Sequence, residues 1–267
     1  MKKNIILVLL AALVFSSCGG YNKVLKSTDY EFQYEAAKAY FAQGKYSKAA
    51  SLLEQLVTIL KGTDKAEESL YMLGMTYFNQ ESYDVSSHYF ITYYKTYPRG
   101  VYAELARFQA GKALYLSTPE PRLDQSSTFK AIEELQLFIE YFPQSLKKQD
   151  AQNMIFKLQD KLVEKDYLSA KLYFDLGTYM GNNYQSCVVT AQNALRDYPY
   201  TRFREDLYIL TLRAKNQIAV QSVEDKKLDR YREVIDEYYA FKNEFPESKY
   251  DKEAAKIFNE AKGIVKE

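Results

Sequence analysis

Along most of the chain, apolar residues recur at intervals of three and four and seldom alternate with polar ones, so the pattern predicts helices and few strands. The helical pattern also repeats. Ala37, Gly74 and Gly111 are spaced by 37 and 37, as are Ala36, Leu73 and Ala110; Tyr34, Tyr71 and Phe108; and Phe41, Phe78 and Tyr115. A second set follows each. Ala49, Ser86 and Ala131 are spaced by 37 and 45, as are Leu53, Phe90 and Leu135, and Leu56, Tyr93 and Phe138. The common step from 37 to 45 places an eight-residue insertion inside the third unit, where "STPEPRLD" (117–124) has turn composition. Each unit predicts two helices. In the first, "YEAAKAYFAQGKYSKAASLLEQL" has Gly44 at the turn, small residues at 37 and 49 for close approach, and large ones at 40, 53 and 56 around them.

Four aromatic–proline pairs mark the ends of units: Tyr97-Pro98, Phe142-Pro143, Tyr198-Pro199 and Phe245-Pro246. Proline lacks an amide hydrogen and restricts the residue before it, so a helix stops there. The intervals of 45, 56 and 47 residues make units four and five longer than the first two. Unit four reads "AKLYFDLGTYMGNNYQSCVVTAQNALRDYP" (170–199). Unit five has a helix near 203–220, a polar stretch "QSVEDKKLDR", and a second helix with Tyr231, Ile235, Tyr238 and Phe241 on one face. The tail at 250–266 is amphipathic and suits the cap that closes a solenoid. Small, aromatic and glycine positions at Ala37, Tyr40, Gly44, Tyr46, Ala49, Leu53 and Leu56 resemble the tetratricopeptide repeat. The second unit matches at Leu73, Gly74, Tyr77, Tyr83, Phe90 and Pro98. Gln33, Leu70 and Arg107 stand where that family has Trp, and Ser86 replaces a small Ala. The expected fold is therefore all-α: a tetratricopeptide-repeat solenoid of about five helix pairs with a carboxy-terminal capping helix.

The amino terminus is different. Met1-Lys2-Lys3 is basic, Ile5 to Phe15 is an unbroken apolar run, and Ser16 and Ser17 precede Cys18. That is the order of a secretory signal peptide, and the run of 11 residues is too short to span a bilayer, which takes about 20. "FSSC" resembles the lipobox of bacterial lipoproteins, with Phe15 where Leu is commonest. The resemblance makes Cys18 the mature amino terminus and the lipid-attachment site. "GGYNK" after it carries no acidic residue of the kind that retains such proteins at the inner membrane or exports them to the surface. An outer-membrane lipoprotein facing the periplasm is implied. The expected divisions are a signal peptide at 1–17, a lipidated linker at 18–29, units one to three at 30–165, and units four and five with the cap at 166–267.

Without residues 1–17 the formal charge falls from +1 to −1, because Lys2 and Lys3 are lost. Such a chain has no general attraction to nucleic acid or anionic lipid, and no nucleic acid is expected as a partner. Cys187 remains as the only unacylated cysteine, in "SCVV", and reads as a small buried apolar residue. His88, the only histidine, stands alone and suits a surface position better than a metal site. No zinc-protease, phosphate-loop or serine-nucleophile motif is present. Glu133-Glu134 reads as a solvated helix face. Neither a cofactor nor a metal is expected, and no enzymatic activity.

A lipid anchor followed by five such units, ended by aromatic–proline pairs, resembles the BamD family of outer-membrane lipoproteins. The resemblance rests on "FSSC", "AAKAYFAQGKYSKAASLLEQL", "AIEELQLFIEYFPQS" and "YMGNNYQSCVVTAQNALRDYPYT". It implies a subunit of the β-barrel assembly machinery that docks on the periplasmic POTRA domains of a BamA-like barrel protein. It also implies that the amino-terminal units receive the carboxy-terminal strand of unfolded outer-membrane barrel proteins. A periplasmic repeat scaffold for cell-envelope or cell-division complexes is the alternative. A helical nutrient-binding lipoprotein is a third reading, for which the chain lacks a sugar-binding region. On the repeat pattern, Tyr34, Tyr71 and Phe108, with Phe41, Phe78 and Tyr115 seven residues on, are expected to line a groove. Lys38, Met75 and Lys112 fall between them on the same helix faces. The other reading of these rings is that they pack adjacent units together. Arg202 and Arg204 in "DYPYTRFRED" are the candidates for docking the barrel partner.

Overall fold

The computed structural model describes residues 20–266, and among them there is helix and turn but no strand. A short helix at 20–25 is followed by eleven longer ones. The first three units are α1 (Tyr30–Ala42) with α2 (Tyr46–Ile59), α3 (Ala66–Asn79) with α4 (Tyr83–Thr96), and α5 (Ala103–Ser117) with α6 (Ser126–Tyr141). Then come α7 (Lys148–Leu176) with α8 (Asn183–Asp197), α9 (Arg204–Val220) with α10 (Glu224–Glu244), and the last helix α11 (Asp251–Lys266). These are the five pairs and cap expected from the repeat pattern. Two stretches differ from expectation. The helix of unit four begins at Lys148, long before the stretch at 170, and α10 takes up most of the polar "QSVEDKKLDR". Glu, Lys, Arg and Leu are good helix formers, and the chain there needs only one buried face. Cys18 and the signal segment lie outside the described residues.

The helices form two compact groups: residues 20–118 with 126–155, and 119–125 with 156–266. In the first, α1 to α6 each pack on the next. In the second, α8 to α11 do so, and α11 also returns to α9. Val163 and Ala170 of α7 join Cys187, Val188, Ala191 and Leu207 in one buried cluster of that group. The boundary expected at 165 falls inside α7.

The small repeat positions are where helices touch. A Cβ at Gly74 would lie 2.7 Å from the Phe90 ring, and one at Gly111 would lie 2.7 Å from Leu135. Ala37, Ala49, Ala110 and Ala131 have no exposed surface, nor do Leu53, Leu56, Phe90, Tyr93, Leu135 and Phe138. Ser86 fits the place of an Ala because its hydroxyl donates to the Gly74 carbonyl at 2.9 Å. This satisfies a polar atom that would otherwise be buried bare.

The turn inside each of the first two units is the same. Lys45 N donates to Tyr40 O at 2.8 Å, and 37 residues on Ser82 N donates to Tyr77 O at 3.0 Å. Both turns need a left-handed residue. Gly44 supplies it at φ 70°, and Glu81 takes it at φ 59°.

The aromatic–proline pairs end helices as expected. Tyr97, Phe142, Tyr198 and Phe245 each donate their amide to the carbonyl four residues back, closing the last turn. Three of these rings also pack on the residue one turn earlier: Tyr97 on Tyr93, Phe142 on Phe138, and Phe245 on Phe241. Beyond the proline, a carboxylate from the preceding first helix grips the turn. Glu67 accepts from Val101 N at 3.2 Å. Asp160 accepts from the Thr201 hydroxyl at 2.7 Å and from Arg202 N at 3.2 Å. Glu205 accepts from the Ser248 hydroxyl at 2.5 Å and from Lys249 N at 3.2 Å.

Candidate peptide-binding surface and docking residues

The nine groove candidates lie on the first helices of units one to three, in three rows. In the row of Tyr34, Tyr71 and Phe108, the first and last rings are buried, as the packing reading expects of them, and Tyr71 is half-buried. Tyr34 is 2 % exposed and donates its hydroxyl to Glu68 Oε2 at 2.6 Å. Lys38 and Lys65 place their ammonium groups 5.1 and 5.4 Å from its ring centre. Burial, and then the acceptor Glu68, push its phenol well above the ordinary range. Phe108 is 5 % exposed and lies 5.3 Å from the Phe138 ring. Tyr71 stacks on Tyr102 at 4.5 Å and lies 5.6 Å from Phe90. The physical reason is the stacking of units: this row sits where the first helix of a unit meets its neighbours, and an aromatic ring there buries more area than it could in a groove.

The other six candidates are half-buried, like Tyr71. Phe41 and Phe78 each rest edge-on against the tyrosine that opens the next helix, Tyr46 at 5.7 Å and Tyr83 at 5.4 Å. Lys112 reaches from α5 to within 5.3 Å of the Phe78 ring centre on α3. The Met75 sulfur lies 3.6 Å from Gln109 Nε2, again between α3 and α5. Lys38 pairs with Glu35 at 3.3 Å. Tyr115 completes the row of Phe41 and Phe78. These side chains offer apolar area, two cations and a soft sulfur to a chain laid across the first helices.

Sequence reasoning missed a buried ionic cluster in unit three. Arg107 lies between the rings of Tyr94 and Tyr141, 4.1 and 4.2 Å from their centres. Its NH1 is 4.0 Å from Glu134 Oε1, and the two side chains are only 14 % and 12 % exposed. Glu134 is therefore not on a solvated face. Burial raises its pKa against the opposing pull of Tyr94 and Arg107. The signal was Arg107 standing at an aromatic repeat position: a guanidinium stacks between rings where the repeat would otherwise place one.

In the second group the two arginines are already engaged. Arg204 donates to Glu244 Oε1 at 2.6 Å and to Pro199 O at 2.9 Å, so it ties the unit boundary to α10. Arg202 keeps a 66 % exposed side chain while reaching Glu164 at 3.3 Å and Asp160 at 3.8 Å. Beside it a groove of about 590 Å³ is lined by Phe156, Gln159, Pro199 and Tyr200. Phe156 is 57 % exposed and Tyr200 90 %.

Cys187 is fully buried, and burial pushes its thiol up to about 12, far from reactive thiolate character. His88 is exposed and meets Tyr89 edge-on at 5.8 Å. Among the described residues no group of acidic, histidine and cysteine side chains is arranged to hold a metal, and no helix is long and apolar enough to cross a membrane.

No curated protein matches the chain significantly. Two solved structures of nearly identical TPR-like repeats from a kinesin light chain of Podosopora anserina are similar to it. The first is 12 % identical, covers 81 % of this chain and 96 % of its own, and has a TM-score of 0.37. The second is 14 % identical, covers 81 % and 95 %, and has a TM-score of 0.33. The profile of the YfiO family, described as outer membrane lipoprotein, matches residues 27–181, from the start of the repeats to the turn after α7. Matched over more than half its length, the chain belongs to the YfiO family of outer membrane lipoproteins, the BamD family that its repeats resemble.

Proposed function

We propose that this chain is the non-enzymatic lipoprotein subunit of the outer-membrane β-barrel assembly machinery, anchored through Cys18 on the periplasmic face. In this reading it holds the POTRA domains of a BamA-like barrel protein and receives the terminal strand of unfolded barrel proteins for insertion. The observation that carries the reading is the family match over residues 27–181, which takes in all three amino-terminal units. The substrate surface we propose is narrower than the nine residues read from sequence. It consists of Phe41, Phe78 and Tyr115 with Lys38, Met75 and Lys112, the half-buried rows. An extended strand ending in an aromatic residue and a carboxylate has apolar faces for the rings and a negative end for a lysine. Tyr34, Tyr71 and Phe108 support that surface from behind. For the barrel partner we propose the exposed Arg202 with Tyr200 and Phe156, while Arg204 holds the turn that presents them.

Purifying the tagged protein from detergent-solubilised membranes tests the complex. Recovery of a BamA-like barrel supports the reading. Recovery of peptidoglycan or division factors in its place favours the scaffold alternative, and a TonB-linked transporter the nutrient-binding one. Arg202→Glu is expected to lower barrel recovery at moderate salt, and unchanged recovery removes Arg202 from the interface.

A further inference from the structure

The short helix at 20–25 is bound to the first unit. Tyr21, Val24 and Leu25 fall on one face by their spacing of three and four. Val24 is buried in the core of α1 and α2, and Tyr21 and Leu25 pack against that core. The Gln33 amide, itself buried, donates to the carbonyls of Val24 at 3.2 Å, Leu25 at 3.2 Å and Ser27 at 2.9 Å, capping the end of the short helix. The Tyr21 ring meets Tyr40 edge-on at 5.7 Å. Cys18 stands three residues before Tyr21. A chain extends at most ~3.6 Å per residue, so three residues allow no more than about 11 Å of backbone between the expected lipid-attachment position and Tyr21.

That neighbourhood is basic. Lys23 and Lys26 are exposed on the short helix and just past it. Lys48 lies over both Tyr21 and Tyr40, at 5.3 and 5.6 Å, and Lys45 is 6.0 Å from Tyr40. Residues 19–28 and 39–53 contain these four lysines and no Asp or Glu, the nearest in sequence being Asp29 and Glu54 at their borders. Among the described residues none of the four forms an ion pair, whereas lysines elsewhere in the chain, such as Lys38, Lys65 and Lys215, do. In a mature chain of formal charge −1 this is a local excess of positive charge beside the anchoring residue.

We propose that Lys23, Lys26, Lys45 and Lys48, with Tyr21 and Tyr40 among them, dock the first unit on the anionic phospholipid headgroups of the leaflet that holds the lipid anchor. The proposal rests on the anchor reading only for its distance. Acyl chains and a basic patch together make a two-signal attachment. A lysine beside an anionic leaflet strengthens binding about fivefold at low salt, and the gain is screened as salt rises. The acyl chains hold the protein to the membrane, and the patch sets which face of the first unit lies on it.

The mature chain carrying Cys18→Ser has no acyl chain and tests the patch alone. It is expected to sediment with vesicles of phosphatidylethanolamine and phosphatidylglycerol at low salt, to be released at high salt, and to ignore vesicles of phosphatidylcholine. K23E/K26E and K45E/K48E are each expected to weaken sedimentation by at least about tenfold, with the melting temperature unchanged. Lys23 and Lys26 are exposed, so the first pair decides alone if the second disturbs the fold. Absence of sedimentation at low salt, equal binding to phosphatidylcholine, or unchanged binding of K23E/K26E overturns the proposal. Labelling of the wild-type protein with palmitate in cells reports the anchor separately. Labelling without vesicle binding removes the patch, and vesicle binding without labelling removes the anchor.

Discussion

Tyr34 and Phe78 belong to the two different aromatic rows of the repeat, seven positions apart within a unit, and have different surroundings. Tyr34 is sealed under Glu68, Lys38 and Lys65, whereas Phe78 is half-buried between Tyr83 and Lys112. The difference sets opposite expectations. Tyr34→Ala opens a cavity in the first-unit core and is expected to cost about 3 kcal/mol or more. Tyr34→Phe loses one hydrogen bond and is expected to cost about 1 kcal/mol. Phe78→Ser is expected to lower stability by less than Tyr34→Ala while weakening binding of a carboxy-terminal barrel peptide. Urea denaturation and peptide fluorescence anisotropy check both. A large stability loss at Phe78 with peptide affinity intact would move that ring from the surface to the packing.

At the scale of elements, a turn and a cap invite tests. Glu81 occupies the left-handed position that Gly44 fills in the equivalent turn one unit earlier. A left-handed backbone costs a residue with a Cβ roughly 1 kcal/mol, which glycine avoids. Glu81→Gly is therefore expected to raise stability by about 0.5–1 kcal/mol and Gly44→Ala to lower it by a similar amount, read from denaturation midpoints. The closing helix α11 is tied to α9 by Arg213, whose Nε and NH2 hold Glu253 at 2.6 and 2.7 Å. Those hydrogen bonds lower the Glu253 pKa below its ordinary value. A depressed folded pKa means stability that is present above the unfolded value and is lost as pH falls through the folded one. Glu253→Gln should therefore cost a little near neutral pH, about 0.5 kcal/mol for so exposed a pair. Its difference from wild type should vanish in acid. A gap that persists unchanged at acid pH would show that the glutamate acts through packing and not through its charge.

For the whole molecule, function depends on where the chain is held. The order basic, apolar, small, Cys at residues 1–18 is expected to place the mature protein on the outer membrane through Cys18. Cys18→Ala should leave an uncleaved or soluble protein, visible as a changed mass and a changed membrane fraction. Normal mature mass with outer-membrane fractionation in that variant would refute the anchor.

The helices, their pairing, the insertion near 117–124 and the unit ends were all legible in the sequence by itself. Each depends on local rules: the helical period, glycine at a left-handed turn, proline after an aromatic residue, and small residues recurring every 37 positions. The elongated α7 and the helix through "QSVEDKKLDR" were less legible, because polar residues on a helix carry little periodic signal. The candidate site was legible only as a set of positions. Spacing put Tyr34, Lys38 and Phe41 on one face of one helix, but it cannot say which side chains of that face the next unit covers. That was decided by contacts 27 to 40 residues apart in sequence: Tyr34 with Glu68, Phe108 with Phe138, Arg107 with Glu134 and Arg204 with Glu244. Burial depends on the neighbours that packing supplies, so only the tertiary structure could separate the buried rings, Tyr34 and Phe108, from the half-buried ones, Tyr71, Phe41, Phe78 and Tyr115.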